Sequence, residues 1–270
     1  MKIKKLAAVF AASVISATAV TVTAFAAGTK VPITEKYFPD EAFREYVSEN
    51  FDTDGNGWLS QKERDAVTEI YVFGSGIKSL KGVEKFKKLK ILTCAKNELT
   101  KLDISKNTKL EYLLCTGNKL AELDVSKCAN LTEFYCDENK LTSLDVSKNT
   151  KLKNLYCGYN KLTKLDISEN VKLEWLNCDV NDITSLDISQ NKKLEVLWCS
   201  NNKLSSLDLS KNTKLTVLGC GSNQLTELDV SKCVKLTQLN CVNNNLTKLD
   251  VSKNRSLEGF ECDGNVKIIK

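Results

Sequence analysis

Histidine is absent from all 270 residues. That gap excludes Ser-His and Cys-His nucleophile pairs, imidazole acid–base chemistry and His-ligated zinc. None of the 11 cysteines falls in a C-x-x-C spacing, so a redox or zinc centre built on paired thiols has no basis in the sequence. A surplus of charge is missing as well. The formal net charge is +5, but three of the 39 basic residues, Lys2, Lys4 and Lys5, lie in a segment read below as removed. That leaves 36 against 34 acids, a balance that makes no electrostatic case for nucleic acid or an anionic membrane. After residue 26 no run is long and apolar enough to span a bilayer.

What is present is a period. The stretch LTKLDISKNTKLEYLLCTGNK, Leu99 to Lys119, repeats every 21 residues without slippage. One column holds Leu102, Leu123, Leu144 and their successors to Leu249; another runs from Cys94 through Cys115 to Cys262. An asparagine follows each of those cysteines by three residues, from Asn97 to Asn265. A fixed short period is the signature of a solenoid, in which each unit buries its apolar face against its neighbours. Each unit reads L-x-x-L-x-C-x-x-N-x-L-x-x-L-D-[ILV]-S. The alternation around Leu113-Leu114-Cys115 predicts a strand, with Leu110, Leu113, Cys115, Leu120, Leu123 and Val125 inward. Equivalent strands then stack in parallel about 4.8 Å apart. Nine or ten coils span residues 67–270, the first being imperfect, with Ile70, Val72, Ile77 and Leu80 in the apolar columns. The pattern lapses at Lys267, leaving Ile268 and Ile269 as the plug.

Two segments precede the coils. Met1 to Lys5 is basic, Leu6 to Phe25 is uncharged, and Ala24-Phe25-Ala26 is a small-x-small cleavage site. Residues 1–26 therefore read as a signal peptide, and the mature chain as secreted or surface-associated. Residues 27–66 form a helical cap. Phe43, Val47 and Phe51 recur at i, i+4 and i+8, an amphipathic helix over Asp40 to Phe51 with Pro39 at its entrance. The next twelve residues satisfy the EF-hand calcium loop D-x-[DN]-x-[DN]-G-x5-E at every defined position. Asp52, Asp54 and Asn56 offer side-chain oxygens, Trp58 its carbonyl, Ser60 acts directly or through water, and Glu63 closes the shell with two oxygens. Gly57 permits the sharp turn, and Leu59 points into the core. Such loops usually pair, and the sequence offers no second one. A weak structural calcium site, about 10⁻⁴ to 10⁻³ M, follows.

These units resemble leucine-rich repeats, specifically the 21-residue, cysteine-bearing kind of internalin-J-type surface proteins of Gram-positive bacteria. The resemblance covers Val67 to Asn265 and implies a right-handed α/β-type superhelix with one parallel sheet on its concave face. It also implies adhesin-like, non-catalytic binding of a protein ligand. An LPxTG-like wall-sorting motif does not occur in these residues.

The columns then divide. Cysteines 21 apart keep their Cβ atoms near 4.8 Å and parallel, where a disulfide wants about 3.8 Å and convergence, so a ladder of free thiols is expected. Cys128 and Cys233 replace Asn107-type positions too far apart to pair. The Asn97-type amides satisfy backbone groups of their own coil and the next. The Asp103-type carboxylates cap turns in Leu-Asp-x-Ser. Variable positions flanking the inward Leu and Cys carry the recognition. They gather Tyr71, Tyr112, Tyr135, Tyr156, Trp175 and Trp198 on one face, beside Glu133, Asp137, Asn154, Asn177 and Asp179. Aromatic side chains among acids and amides suit a protein ligand, and equally a glycan. A glycosidase using Glu133 with Asp137 or Asp179 is a remote third reading. The chain is read as a monomer and not an enzyme.

Overall fold

The computed structural model describes residues 30–270; the signal-peptide reading lies outside them. The chain opens with β1 (Val31–Pro32), α1 (Glu41–Phe51), β2 (Trp58–Leu59) and α2 (Gln61–Ala66). α1 starts where the Asp40 carboxylate accepts the Phe43 N–H at 3.1 Å, and it buries Phe43 and Val47. The other Asp40 oxygen accepts the Lys78 and Ser79 N–H groups at 2.7 and 3.3 Å, which ties the helix start to the first coil. Phe38, Phe43 and Phe86 are fully buried where cap and solenoid meet.

The coils contribute β3 (Glu69–Tyr71), β4 (Ile91–Thr93), β5 (Tyr112–Leu114), β6 (Glu133–Tyr135), β7 (Asn154–Tyr156) and β8 (Trp175–Asn177). There follow β9 (Val196–Trp198), β10 (Val217–Gly219), β11 (Gln238–Asn240), β12 (Lys248–Asp250), β13 (Gly259–Glu261) and β14 (Lys267–Ile269). β3 to β11 and β13 make one ten-stranded parallel sheet. From β4 to β13 the register is 21 residues, as in Leu113↔Phe134; the imperfect first coil needs 22, Ile70↔Leu92. In the large sheet each strand from β4 onward is three residues with Leu or Phe at its centre, and the cysteine follows it; β3 has Ile70 at its centre and Val72 in the cysteine's place. Leu110, Leu113, Cys115, Leu120 and Val125 are fully buried and Leu123 nearly so. Each such leucine contributes about 1.5–3 kcal/mol, most of it offset by chain entropy.

The return side differs from an α/β expectation. Among the described residues the repeats hold no α-helix, only a 3-10 turn at Val83–Lys85. A 21-residue coil spends its return on turns: Asn107 N–H reaches Ile104 O, and Leu110 N–H reaches Asn107 O, both at 3.0 Å. The Asp103 carboxylate accepts the Ser105 N–H at 3.0 Å, and Asp124 accepts that of Ser126 at 2.8 Å. These bonds from serine hold both aspartates below the usual carboxylate range.

Two asparagine columns face inward with different partners. Asn118 accepts the Leu99 N–H at 3.0 Å and donates to the carbonyls of Cys94 (3.0 Å) and Cys115 (2.9 Å). It therefore serves its own coil and the preceding one, not the next. The strand N–H groups donate to the coil that follows, as Cys94 does to Leu114 O, whereas each such asparagine donates back, so the Cys94 carbonyl is met by an amide from the coil that follows it in sequence. The Asn107 side-chain amide donates to Val83 O and Phe86 O, both at 3.0 Å, while its Oδ1 is buried without a partner. Cys128 stands in that column with its thiol 3.8 Å from Ile104 O and Asn107 O. All eleven cysteines are free. Burial pushes the Cys94 thiol up to about 12, so it behaves as a small inert hydrophobe.

One strained column is testable. The second residue after each ladder cysteine from Cys94 to Cys241 is left-handed, with φ of 52° at Val180 and 54° at Asn201. A β-branched side chain is poorly suited to that conformation. Val180→Asn is expected to stabilise by about 0.5–1 kcal/mol. A guanidinium midpoint at or below that of the native chain would contradict it.

At the far end β14 pairs in parallel with β12. Val266 is buried and Ile268 packs on the core, whereas Ile269 is exposed, so the plug is Val266 with Ile268. Alternation along β14 turns Ile269 outward.

Candidate functional site

Two sets of residues merit a chemical reading, one in the cap and one on the concave sheet. In the cap, α1 delivers the chain to Asp52 and α2 returns Glu63. Oxygens of Asp52, Asp54 and Glu63 lie within 4.8 Å of one another. Gly57 takes a φ of 79°, and its N–H donates to Asp52 at 2.8 Å. The Asn56 amide oxygen accepts the Trp58 N–H at 2.9 Å. Ser60 caps α2 and forms a reciprocal box with Glu63. Burial opposes ionisation of Glu63, yet donation from Ser60 N–H and from the Thr53 N–H and hydroxyl holds it down to about 2. Three hard carboxylate donors held this close fit a divalent cation. Leu59 is fully buried. β2 pairs antiparallel with β1, Val31↔Leu59 and Pro32↔Trp58, so the loop's strand finds its partner in the chain just before α1. The loop pattern alone does not reveal that partner, because Val31-Pro32 carries no signature of it.

On the sheet, the first strand position stacks Tyr112, Glu133, Asn154 and Trp175, and the third stacks Tyr135, Tyr156, Asn177 and Trp198. The rings of Tyr112 and Tyr135 lie 5.5 Å apart, Tyr135 and Tyr156 5.0 Å, Tyr156 and Trp198 6.2 Å, and Trp175 and Trp198 6.3 Å. That is one continuous aromatic band, of which Trp175 is 41% exposed and the others half-buried. Tyr71 stands apart from it. The coil of β4 intervenes, and the Tyr71 hydroxyl donates to Glu69 at 2.8 Å. The Glu133 carboxylate accepts the Tyr135 hydroxyl at 2.7 Å. Asn177 accepts the Asp179 N–H at 3.0 Å.

Asp137 and Asp179 occupy the fifth position of their coils, either side of Gly158. Asp137 accepts the Gly158 N–H at 3.1 Å, and Asp179 accepts the Ser200 N–H at 2.6 Å. Burial pushes both carboxyls up to about 6, with the charge of Glu138 adding to the first and that of Asp137 to the second. Beyond Trp198 the sheet sinks into a recess of 380 Å³ lined by Gly219, Gln238, Asn240, Gly259 and Glu261. Glycine at outward strand positions was the available sequence signal, since it leaves backbone bare where a side chain would stand.

Comparison with known proteins places this geometry. A leucine-rich-repeat family model matches residues 242–259. Over 72 residues, 27% of the chain, the sequence is 38% identical to internalin J of Listeria monocytogenes. That match spans 8% of the length of internalin J. The solved functional domain of InlJ from Listeria monocytogenes, which includes a cysteine ladder, superposes over 90% of this chain at 36% identity and a TM-score of 0.57. The chain covers 63% of that domain. Internalin C2 of the same species superposes over 87% of this chain and 97% of its own, at 20% identity and a TM-score of 0.63, a likeness of fold alone.

Proposed function

This chain is a leucine-rich-repeat protein of the internalin-J-like type, and on that premise we propose that it is an exported, non-catalytic recognition module. It grips a protein ligand through the aromatic band of its concave sheet, and one calcium ion orders its cap. The observation that carries the reading is the band itself: five rings in unbroken succession on a rigid sheet. Tyr and Trp supply large amphipathic area at low entropic cost, and such residues dominate binding energy at protein interfaces. Export is supported by the sequence of residues 1–26. Among the described residues no helix is long and apolar enough to cross a membrane.

The test is capture of surface proteins by the full chain, with the captured ligand then titrated against Trp175→Ala plus Trp198→Ala. A loss of at least about 100-fold in affinity, the scale of two hot-spot residues, is expected. Unchanged affinity removes the band from the reading. The recess beside Trp198, with Gln238, Asn240 and Glu261 on its wall, also has the flat ring and polar rim that suit a sugar. A glycan array run with the same two chains decides between them, and binding confined to glycans would replace the protein ligand.

A further inference from the structure

The concave sheet has a charge rule that the aromatic band does not explain. Its ten strands present three outward columns, beginning at Glu69, Tyr71 and Phe73, which makes thirty positions. With 39 basic residues in 270, an even spread would place about four of them there, yet none of the thirty is Lys or Arg. Six are acidic: Glu69, Glu133, Asp137, Asp179, Glu261 and Asp263. In a lysine-rich chain, a face cleared of its own cations leaves its acids without internal counter-charge.

The acids concentrate where the aromatic band is densest. At Gly158 no side chain separates the neighbouring coils. Asn177 Oδ1 stands 2.8 Å, and Asp137 Oδ1 3.4 Å, from the place a Cβ would occupy. Asp137 leans in from one side, and Asp179 follows on the other, bonded to Ser200 N–H. Tyr156 lies on the same coil as Gly158, and Trp198 lies 6.2 Å beyond it. The chain repeats this arrangement without the flanking aspartates. At Gly221 the amide oxygen of Asn240 again stands 2.8 Å from the missing Cβ, but Ser200 and Val242 take the places of the two aspartates.

Resting on the reading of this sheet as a protein-binding face, we propose that its occupant is a basic segment of the partner, with one lysine or arginine side chain seated between Asp137 and Asp179 against Tyr156 and Trp198. Two carboxylates supply the counter-charge, and the ring faces supply cation–π attraction. Burial of the carboxylates strengthens both terms, because water screens them less.

The experiment uses the full chain and fluorescein-labelled heptalysine, with its fully acetylated form as the uncharged counterpart. Heptalysine is expected to bind at low ionic strength and the acetylated form not. Asp137→Asn plus Asp179→Asn is expected to weaken heptalysine at least tenfold, while Glu122→Gln plus Glu227→Gln, an equal change of charge at exposed positions off this face, changes it less than twofold. Gly158→Ala keeps every charge but forces Asn177 Oδ1 aside, crowds the Asp179 carbonyl at 3.1 Å and sets a methyl group between the two aspartates, and is expected to weaken binding several-fold. Gly221→Ala meets the same obstacle where Ser200 and Val242 replace the flanking aspartates, and is expected to weaken binding much less than Gly158→Ala. Thermal melts of both alanine variants separate misfolding from a lost site, since the two substitutions disturb equivalent positions. Equal loss in the two charge variants, equal loss in the two glycine variants, or no binding of heptalysine by the native chain overturns the proposal. If Trp175→Ala plus Trp198→Ala abolishes capture of the protein ligand while the aspartate pair does not, the basic segment is wrong and the recognition face stands. If neither variant affects capture, both readings fall.

Discussion

Asn181→Ala is expected to lower the stability of the solenoid by about 3 kcal/mol or more, among the largest effects available outside the leucine core. Asn181 is buried and accepts the Leu162 N–H at 2.9 Å. Its amide donates to Cys157 O and Cys178 O, both at 3.1 Å. Truncation strands one donor and two acceptors of the main chain, in a place where water cannot replace the lost partner. Each orphan costs about 1–3 kcal/mol. The other asparagine column supplies the contrast. Asn170 donates to Val146 O and Asn149 O, both at 3.0 Å, but its own oxygen is buried and unpartnered. Cys128 and Cys233 already stand in that column, where each thiol faces the equivalent carbonyls. Asn170→Cys is therefore expected to stay within about 1 kcal/mol of the native chain, since removing the orphan oxygen offsets the weaker donor. Urea unfolding of both variants measures this. A loss below about 1 kcal/mol for Asn181→Ala, or equal losses for the two, would show that the columns are not distinguished by their hydrogen bonds.

The second large effect is expected from calcium on the cap. Asp52, Asp54 and Glu63 are held within 4.8 Å, and like charges at that range repel unless a cation lies among them. With an affinity of about 10⁻⁴ M, calcium at one hundred times that concentration stabilises the folded cap by about 2.7 kcal/mol through mass action alone. The gain should be read in the unfolding of the cap, by the fluorescence of Trp58, which sits in the loop and is exposed. Asp54→Ala is expected to abolish it while leaving the metal-free cap nearly unchanged, because Asp54 accepts only the Asn56 N–H, at 3.2 Å, within its own turn. A melting temperature indifferent to calcium, or a gain that survives Asp54→Ala, refutes calcium at this loop.

The two effects differ in how far they can be foreseen. The Asn118-type column was legible as structural from its spacing alone, since a polar residue recurring every 21 positions beside inward Leu and Cys must be buried, and buried amides must be satisfied. Its direction was not legible, because sequence does not state which way the strand N–H groups donate. The clustering of Asp52, Asp54 and Glu63 was legible from their spacing. The pairing of β2 with Val31-Pro32 was not, since a two-residue strand has no periodicity to read.

The concave face divides in the same way. Period and strand alternation alone assign Tyr112, Tyr135, Tyr156, Trp175 and Trp198 to one surface, because the register of a strict repeat leaves no other choice. That Tyr71 stands outside the band, that Trp198 borders a recess, and that Asp137 bonds to Gly158 while Asp179 bonds to Ser200 beyond it depend on distances across three or more coils. Those distances are set by which side chains are missing as much as by which are present. By itself the sequence determined the coil, its inward columns and the face turned to solvent, since all three follow from a repeat that can bury apolar surface only against copies of itself. Tertiary structure alone decided where on that face charge and rings converge, because convergence is a property of packed neighbours and no single coil contains it.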